Sequence, residues 1–215
     1  MVPKAIIFDL DGTLADTAAD LAGAMNYALK KFGQPTHSVE ACKQMIGDGL
    51  KMFAQRALGK DSRHLWDGVL SLMKARYRDK CFECSRLYDG ISEVVSKLRQ
   101  QGIRLAVLTN KDQDDARRIV EHFFGADTFE YVVGVVGESG VQPDIAGTMK
   151  IVESMKLARE DFLIIGDGAQ DIRTGAAAGI RAVGVNWGFR GREELAEAGA
   201  DMTIDRPVEI LGLLA

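Results

Sequence analysis

The sequence predicts an α/β protein, a doubly wound parallel sheet with a helical domain inserted behind its first strand. Three observations predict it. Apolar runs at 4–10, 103–109, 131–136, 162–166 and 181–186 are nearly continuous rather than alternating, as in strands buried on both faces. From about residue 89 onward, helical periods and apolar runs follow one another in turn, the pattern of a parallel sheet covered by helices. The interval 18–84, in contrast, holds three helical periods and no convincing strand.

The first run, KAIIFDL, ends in two aspartates within "AIIFDLDGTLADT" (5–17), so the first strand delivers Asp9 and Asp11 at its carboxyl end. The insert follows. Leu21, Met25, Ala28, Leu29 and Phe32 form one apolar stripe, Leu50, Phe53, Ala54 and Ala57 a second, and Leu65, Val69, Leu72 and Met73 a third. These spacings assign 16–85 to a helical cap domain and 1–15 with 86–215 to the core, with connections near 14–19 and 80–88 that permit a hinged lid. Ile91, Val94, Val95 and Leu98 predict the next helix, and IRLAVLT the strand that delivers Thr109 and Asn110. YVVGVV leads into "GVVGESGVQPD", and Ile145, Met149 and Val152 predict a helix after it. FLIIG ends in Asp167, with Asp171 four residues on, and RAVGVN runs into "NWGFRGREEL", a turn onto the last core helix with Trp187 and Phe189 at the rim.

Bulk properties narrow the function. A net charge of −4 and a pI near 5.5 exclude a general surface for nucleic acid or anionic membrane, which needs clustered Lys and Arg. No run approaches the roughly 18 apolar residues of a membrane span, and the opening residues lack the pattern of a secretory leader. A cytoplasmic chain is the expectation. Cys42, Cys81 and Cys84 cannot all pair within one chain and read as plain thiols. The sequence carries no signature of a particular oligomeric state.

In parallel α/β sheets, ligands bind outside the carboxyl ends of the strands, where this sequence gathers Asp9, Asp11, Thr109, Asn110, Asp167 and Asp171. Carboxylates sharing such a site repel by roughly 4 kcal/mol per pair at 4 Å with an effective dielectric near 20. A cation is therefore implied, and hard oxygen donors without nearby His or Cys favour Mg²⁺. Asp16, Asp112, Asp114 and Asp115 read instead as helix-start acids.

"DLDGTLADT", "TNK" and "GDGAQDIRTGAAAG" resemble motifs of the haloacid dehalogenase-like phosphohydrolases, and the likeness extends along the whole chain. "YDGISEVVSKLRQQGIRLAVLTNK" and "MIGDGLKMFAQRAL" are similar to the phosphoglycolate phosphatase-like branch. The resemblance implies a Rossmann-like core and hydrolysis of a small phosphomonoester through an aspartyl-phosphate. Asp9 would be the nucleophile and Asp11 the acid and base. Asp9, Asp167, Asp171 and the Asp11 carbonyl would serve Mg²⁺, and Thr109 and Asn110 would donate to the phosphoryl oxygens. In the inserted domain the glycine loop Gly47–Gly49 and Lys43 are candidates for reading the rest of the substrate, with a plain helix junction as the other reading.

One departure stands out. Where the family presents a lysine before proline, this chain has Gln142 before Pro143, and no Lys or Arg occurs from Tyr131 through Met149. Gln142 donates a hydrogen bond but adds no charge. A handicapped phosphatase, with Lys111 as the candidate for rescue, is the primary expectation. The alternatives are a sugar-phosphate mutase of the β-phosphoglucomutase type and a phosphoester-binding protein with little turnover.

Overall fold

The structure, a computed structural model, describes residues 2–136 and 145–214. Gln142 and most of "GVVGESGVQPD" lie outside the described residues. By packing, the chain divides into two compact units, one made of 1–15 and 87–215 and the other of 16–86.

The larger unit is built on six parallel strands: β1 (Ala5–Phe8), β4 (Arg104–Asp112), β5 (Tyr131–Val135), β6 (Phe162–Gly166), β7 (Arg181–Val185) and β8 (Thr203–Ile204). Their order is β5-β4-β1-β6-β7-β8, which is the doubly wound arrangement predicted, with β1 in the middle. Two further strands, β2 (Ala15–Asp16) and β3 (Arg86–Leu87), form a separate pair. The helices of this unit are α5 (Ile91–Gln100), α6 (Gln113–Phe124), α7 (Ile145–Met155), α8 (Ala169–Ala178) and α9 (Arg192–Glu197).

Both sheet faces are covered. Ala5 and Ile7 of β1 join Ala106, Leu108, Phe162 and Ile164 in one cluster with Ile151, Val152 and Met155 of α7 and Ala178 of α8. The alternate residues Ile6 and Phe8 point to the opposite face and are also fully buried. Continuous apolar runs are the sequence form of this double burial. β4 continues past its predicted end to Asp112 and so carries Lys111 in the strand. The stripe predicted for α7 is partly displaced: Ile145 is exposed, whereas Thr148, Ile151 and Met155 join Val152 in the interior.

The unit 16–86 is helical, with α1 (Ala18–Lys31), α2 (Val39–Lys43), α3 (Gly49–Leu58) and α4 (Trp66–Lys80). The predicted stripes supply its core through Leu21, Met25, Ala28 and Leu29 on α1, Phe53, Ala54 and Ala57 on α3, and Val69 and Met73 on α4. The short α2 has too few residues to show a period. Among the described residues, no helix is long and apolar enough to cross a membrane. All three cysteines are free thiols.

Candidate active site

Register explains why distant acids meet. Phe8 of β1 pairs with Val107 of β4 on one side and Ile165 of β6 on the other, and the Asp9 N–H donates to the Ile165 carbonyl at 2.9 Å. β1 and β6 therefore end together at Phe8 and Gly166 while β4 runs on beside them, and the residues just beyond the ends of β1 and β6 share one edge. A carboxylate oxygen from each of Asp9, Asp167 and Asp171 lies within 4.8 Å of the others. Asp167 and Asp171 are buried.

Backbone groups hold Asp167 in place. The Phe189 N–H donates to its Oδ2 at 2.6 Å, and Gly12 and Gly188 close around it. A Cβ on Gly12 would strike the Asp167 carboxylate, and one on Gly188 would strike the Asp167 Cβ and the Gly12 carbonyl. Gly12 also has a φ of +91°, which other residues adopt at a cost. The Trp187 indole N–H donates to the Thr13 carbonyl at 3.0 Å, tying the loop after β7 to the loop after β1. Asp171 does two things at once: its Oδ2 accepts from the Gly168 N–H at 3.1 Å, capping α8, and it also faces Asp9 and Asp167.

The acids are electrostatically uncomfortable together. Burial, and then repulsion from Asp171, Asp167 and Asp11, push the Asp9 carboxyl well above the usual range. Burial raises Asp167 to about 6, against hydrogen bonding by Phe189 and attraction from Arg190. Burial and Asp167 raise Asp171 to about 7. These are the shifts expected of like charges crowded in a dry site, and a hard dication would relieve them. The donor set of three carboxylates, without His or Cys, suits such an ion.

Asp11 stands apart from the acid triad. Its two oxygens lie 3.0 and 2.9 Å from the Lys111 ammonium, and the lysine side chain is 1% exposed. Thr109 is buried at the same strand end, and its Oγ1 accepts from the Lys111 N–H at 3.4 Å. Asn110 is partly buried beside it. Lys43, Gly47 and Gly49 belong to the other unit. There Lys43 pairs with Glu40 at 3.0 Å, and Gly47 and Gly49 take φ values of 120° and 80° around Asp48, which pairs with Arg56. Asp16 accepts from the Ala18 N–H at 3.3 Å at the start of α1, and Asp115 pairs with Arg118 at 3.6 Å in the first turn of α6.

Sequence reasoning placed Trp187 and Phe189 at a rim and overlooked the grip of this loop on Asp167. The readable signal was Gly188, set immediately after an apolar strand.

Known proteins resemble the chain along its whole length. It is 28% identical over 98% of its length to phosphoglycolate phosphatase 1 of Pseudomonas aeruginosa, covering 79% of that protein. It is 30% identical to phosphoglycolate phosphatase of Chromobacterium violaceum, covering 98% of this chain and 96% of that one. The crystal structure of a Lactobacillus delbrueckii subsp. bulgaricus protein, proposed to be a phosphoglycolate phosphatase, superposes with a TM-score of 0.93 at 30% identity, covering all of both chains. The family model of the haloacid dehalogenase-like hydrolases matches residues 6–185. With the strand-tip aspartates in place and that match spanning most of the chain, this protein belongs to the haloacid dehalogenase-like hydrolases.

Proposed function

We propose that the chain is a Mg²⁺-dependent phosphatase acting on a small phosphomonoester of the 2-phosphoglycolate type. The observation that carries this reading is the convergence of the Asp9, Asp167 and Asp171 carboxylates within 4.8 Å at the strand tips, with Asp11 held separately beside them. Asp9, Asp167 and Asp171 would hold the ion. When bound, Mg²⁺ supplies positive charge for the acids and for the phosphoryl oxygens.

The chain's own residues account for the remaining chemistry. An Asp9 oxygen attacks phosphorus, the bond to the leaving oxygen breaks, and Asp11 gives that oxygen its proton. Asp11 then takes a proton from the water that attacks the aspartyl-phosphate, which frees phosphate and restores Asp9. Thr109 and Asn110 donate to the nonbridging oxygens as fixed dipoles. The helical unit carries Lys43, Gly47 and Gly49 as the groups for reading the rest of the ester.

Gln142 leaves the third motif without its usual charge, so turnover is expected to be slow rather than absent. The relatives named as phosphatases favour hydrolysis over a mutase reaction. The test is phosphate release from a panel of small phosphoesters with Mg²⁺. Asp9→Asn should lower release by roughly 10³-fold or more, while Gln142→Lys should raise it. Unchanged release by Asp9→Asn would refute the nucleophile, and free hexose 6-phosphate formed from a 1-phosphate without inorganic phosphate would point to the mutase.

A further inference from the structure

Lys111 is an unexpected side chain to find under the tip of the sheet. It is 1% exposed, it contacts both oxygens of Asp11 at 3.0 and 2.9 Å, and Asp11 itself is only 14% exposed. Lysine is rarely buried whole, and desolvating an ammonium with a carboxylate offsets much of their attraction. An apolar pair would fill the same space without that cost, so stability is a weak reason for this one. What the pair supplies is direction. Contact with both oxygens fixes where the carboxylate sits, and Lys111 is itself anchored in β4, with its N–H on Thr109 Oγ1. A side chain positioned from a strand is held more tightly than one positioned from a loop.

We propose that Lys111 is a positioning residue for Asp11, orienting its carboxylate through both oxygens so that one of them is presented to the leaving group. The inference rests on the phosphatase reading above. As Asp9 oxygen bonds to phosphorus, the electron pair of the breaking P–O bond goes to the leaving oxygen, which takes its proton from Asp11. An acid displaced by about 1 Å from that oxygen loses on the order of 10² in rate. The requirement depends on the leaving group: an alkoxide needs the proton, whereas nitrophenolate departs without it. Binding of the phosphoryl group, by contrast, is common to both kinds of ester. Leaving-group dependence therefore separates positioning of Asp11 from phosphate binding and from a merely structural role.

The test compares kcat/KM with Mg²⁺ for p-nitrophenyl phosphate and for 2-phosphoglycolate, or the fastest alkyl phosphate of the panel, using the full chain and Lys111→Met and Lys111→Arg. Lys111→Met should lose about 100-fold on the alkyl ester and less than about 10-fold on the aryl ester. Lys111→Arg should recover about 10-fold or more of the alkyl loss, since it returns a cation to the same carboxylate. Equal losses on both esters, or no loss on either, overturn the proposal. If circular dichroism shows Lys111→Met unfolded, Lys111→Gln is judged by the same selectivity. A natural chain inactive on every ester would bring down the phosphatase reading and this inference with it, whereas an active chain with unselective variants would bring down the inference alone.

Discussion

Gly188 shows how narrowly the candidate site is built. The residue leaves no room for a Cβ between the Asp167 side chain and the Gly12 carbonyl, so any side chain there must push Asp167 away from its partners. Gly188→Ala is expected to weaken Mg²⁺ binding by about 10-fold or more, read by isothermal titration, because a displaced ligand costs affinity in the way that lost supporting contacts do. Affinity equal to that of the natural chain would contradict this placement. At this scale Asp9 and Asp167 were legible because each directly follows an apolar run, and topology then sends strand ends to one edge. The Phe189 N–H was not legible, because a backbone donor has no residue signature and its direction depends on a loop folding back onto β6. Lys111 was legible as a charge beside the second motif, but its pairing with Asp11 needed β4 to run beyond Thr109.

Among the elements, the return of the chain at the end of the helical unit depends on one carboxylate. Asp20 of α1 is buried and accepts from the Cys84 N–H at 3.0 and 3.1 Å, the Ser85 N–H at 2.8 Å and the Ser85 hydroxyl at 2.7 Å. A short helix-start acid reads from sequence as a complement to the helix dipole, and the partners more than sixty residues away cannot be read at all. Asp20→Ala leaves these donors without their acceptor and is expected to cost about 2 kcal/mol in chemical denaturation, with Asp20→Asn costing less. A loss below about 0.5 kcal/mol would show that water replaces the carboxylate freely. Element legibility followed length. Five apolar runs were long enough to declare strands, whereas the two-residue β2, β3 and β8 and the five-residue α2 are too short to carry a period. The exposed Ile145 misled the stripe on α7, since one apolar residue at a helix start is compatible with either face.

For the whole molecule, the crowded acids tie stability to pH and metal. Folding raises Asp167 to about 6 and Asp171 to about 7 from 3.8, so the folded chain holds those protons more tightly than the unfolded chain. Their contribution is fully present below about pH 3.8 and is lost as pH rises through 6 and 7. Metal-free protein is therefore expected to melt lower at pH 8 than at pH 5.5 as far as this cluster governs it. Mg²⁺ at about 100 times its Kd should restore about 2.7 kcal/mol at pH 8, a rise of roughly 5–10 °C in Tm. The rise should shrink at pH 5.5, where protons compete for the same oxygens. A rise of equal size at both pH values, followed by differential scanning calorimetry, would place the ion elsewhere.

The central position of β1 also bears on how the protein is made. Its hydrogen-bonding neighbours, β4 and β6, begin at Arg104 and Phe162. A ribosome thus releases the oily AIIF segment first and its two flanks much later, so the middle of the sheet is completed only after both have emerged. Pairings so distant in sequence form slowly, and until they form the nascent chain carries an unsatisfied, sticky edge of the kind that chaperones shelter.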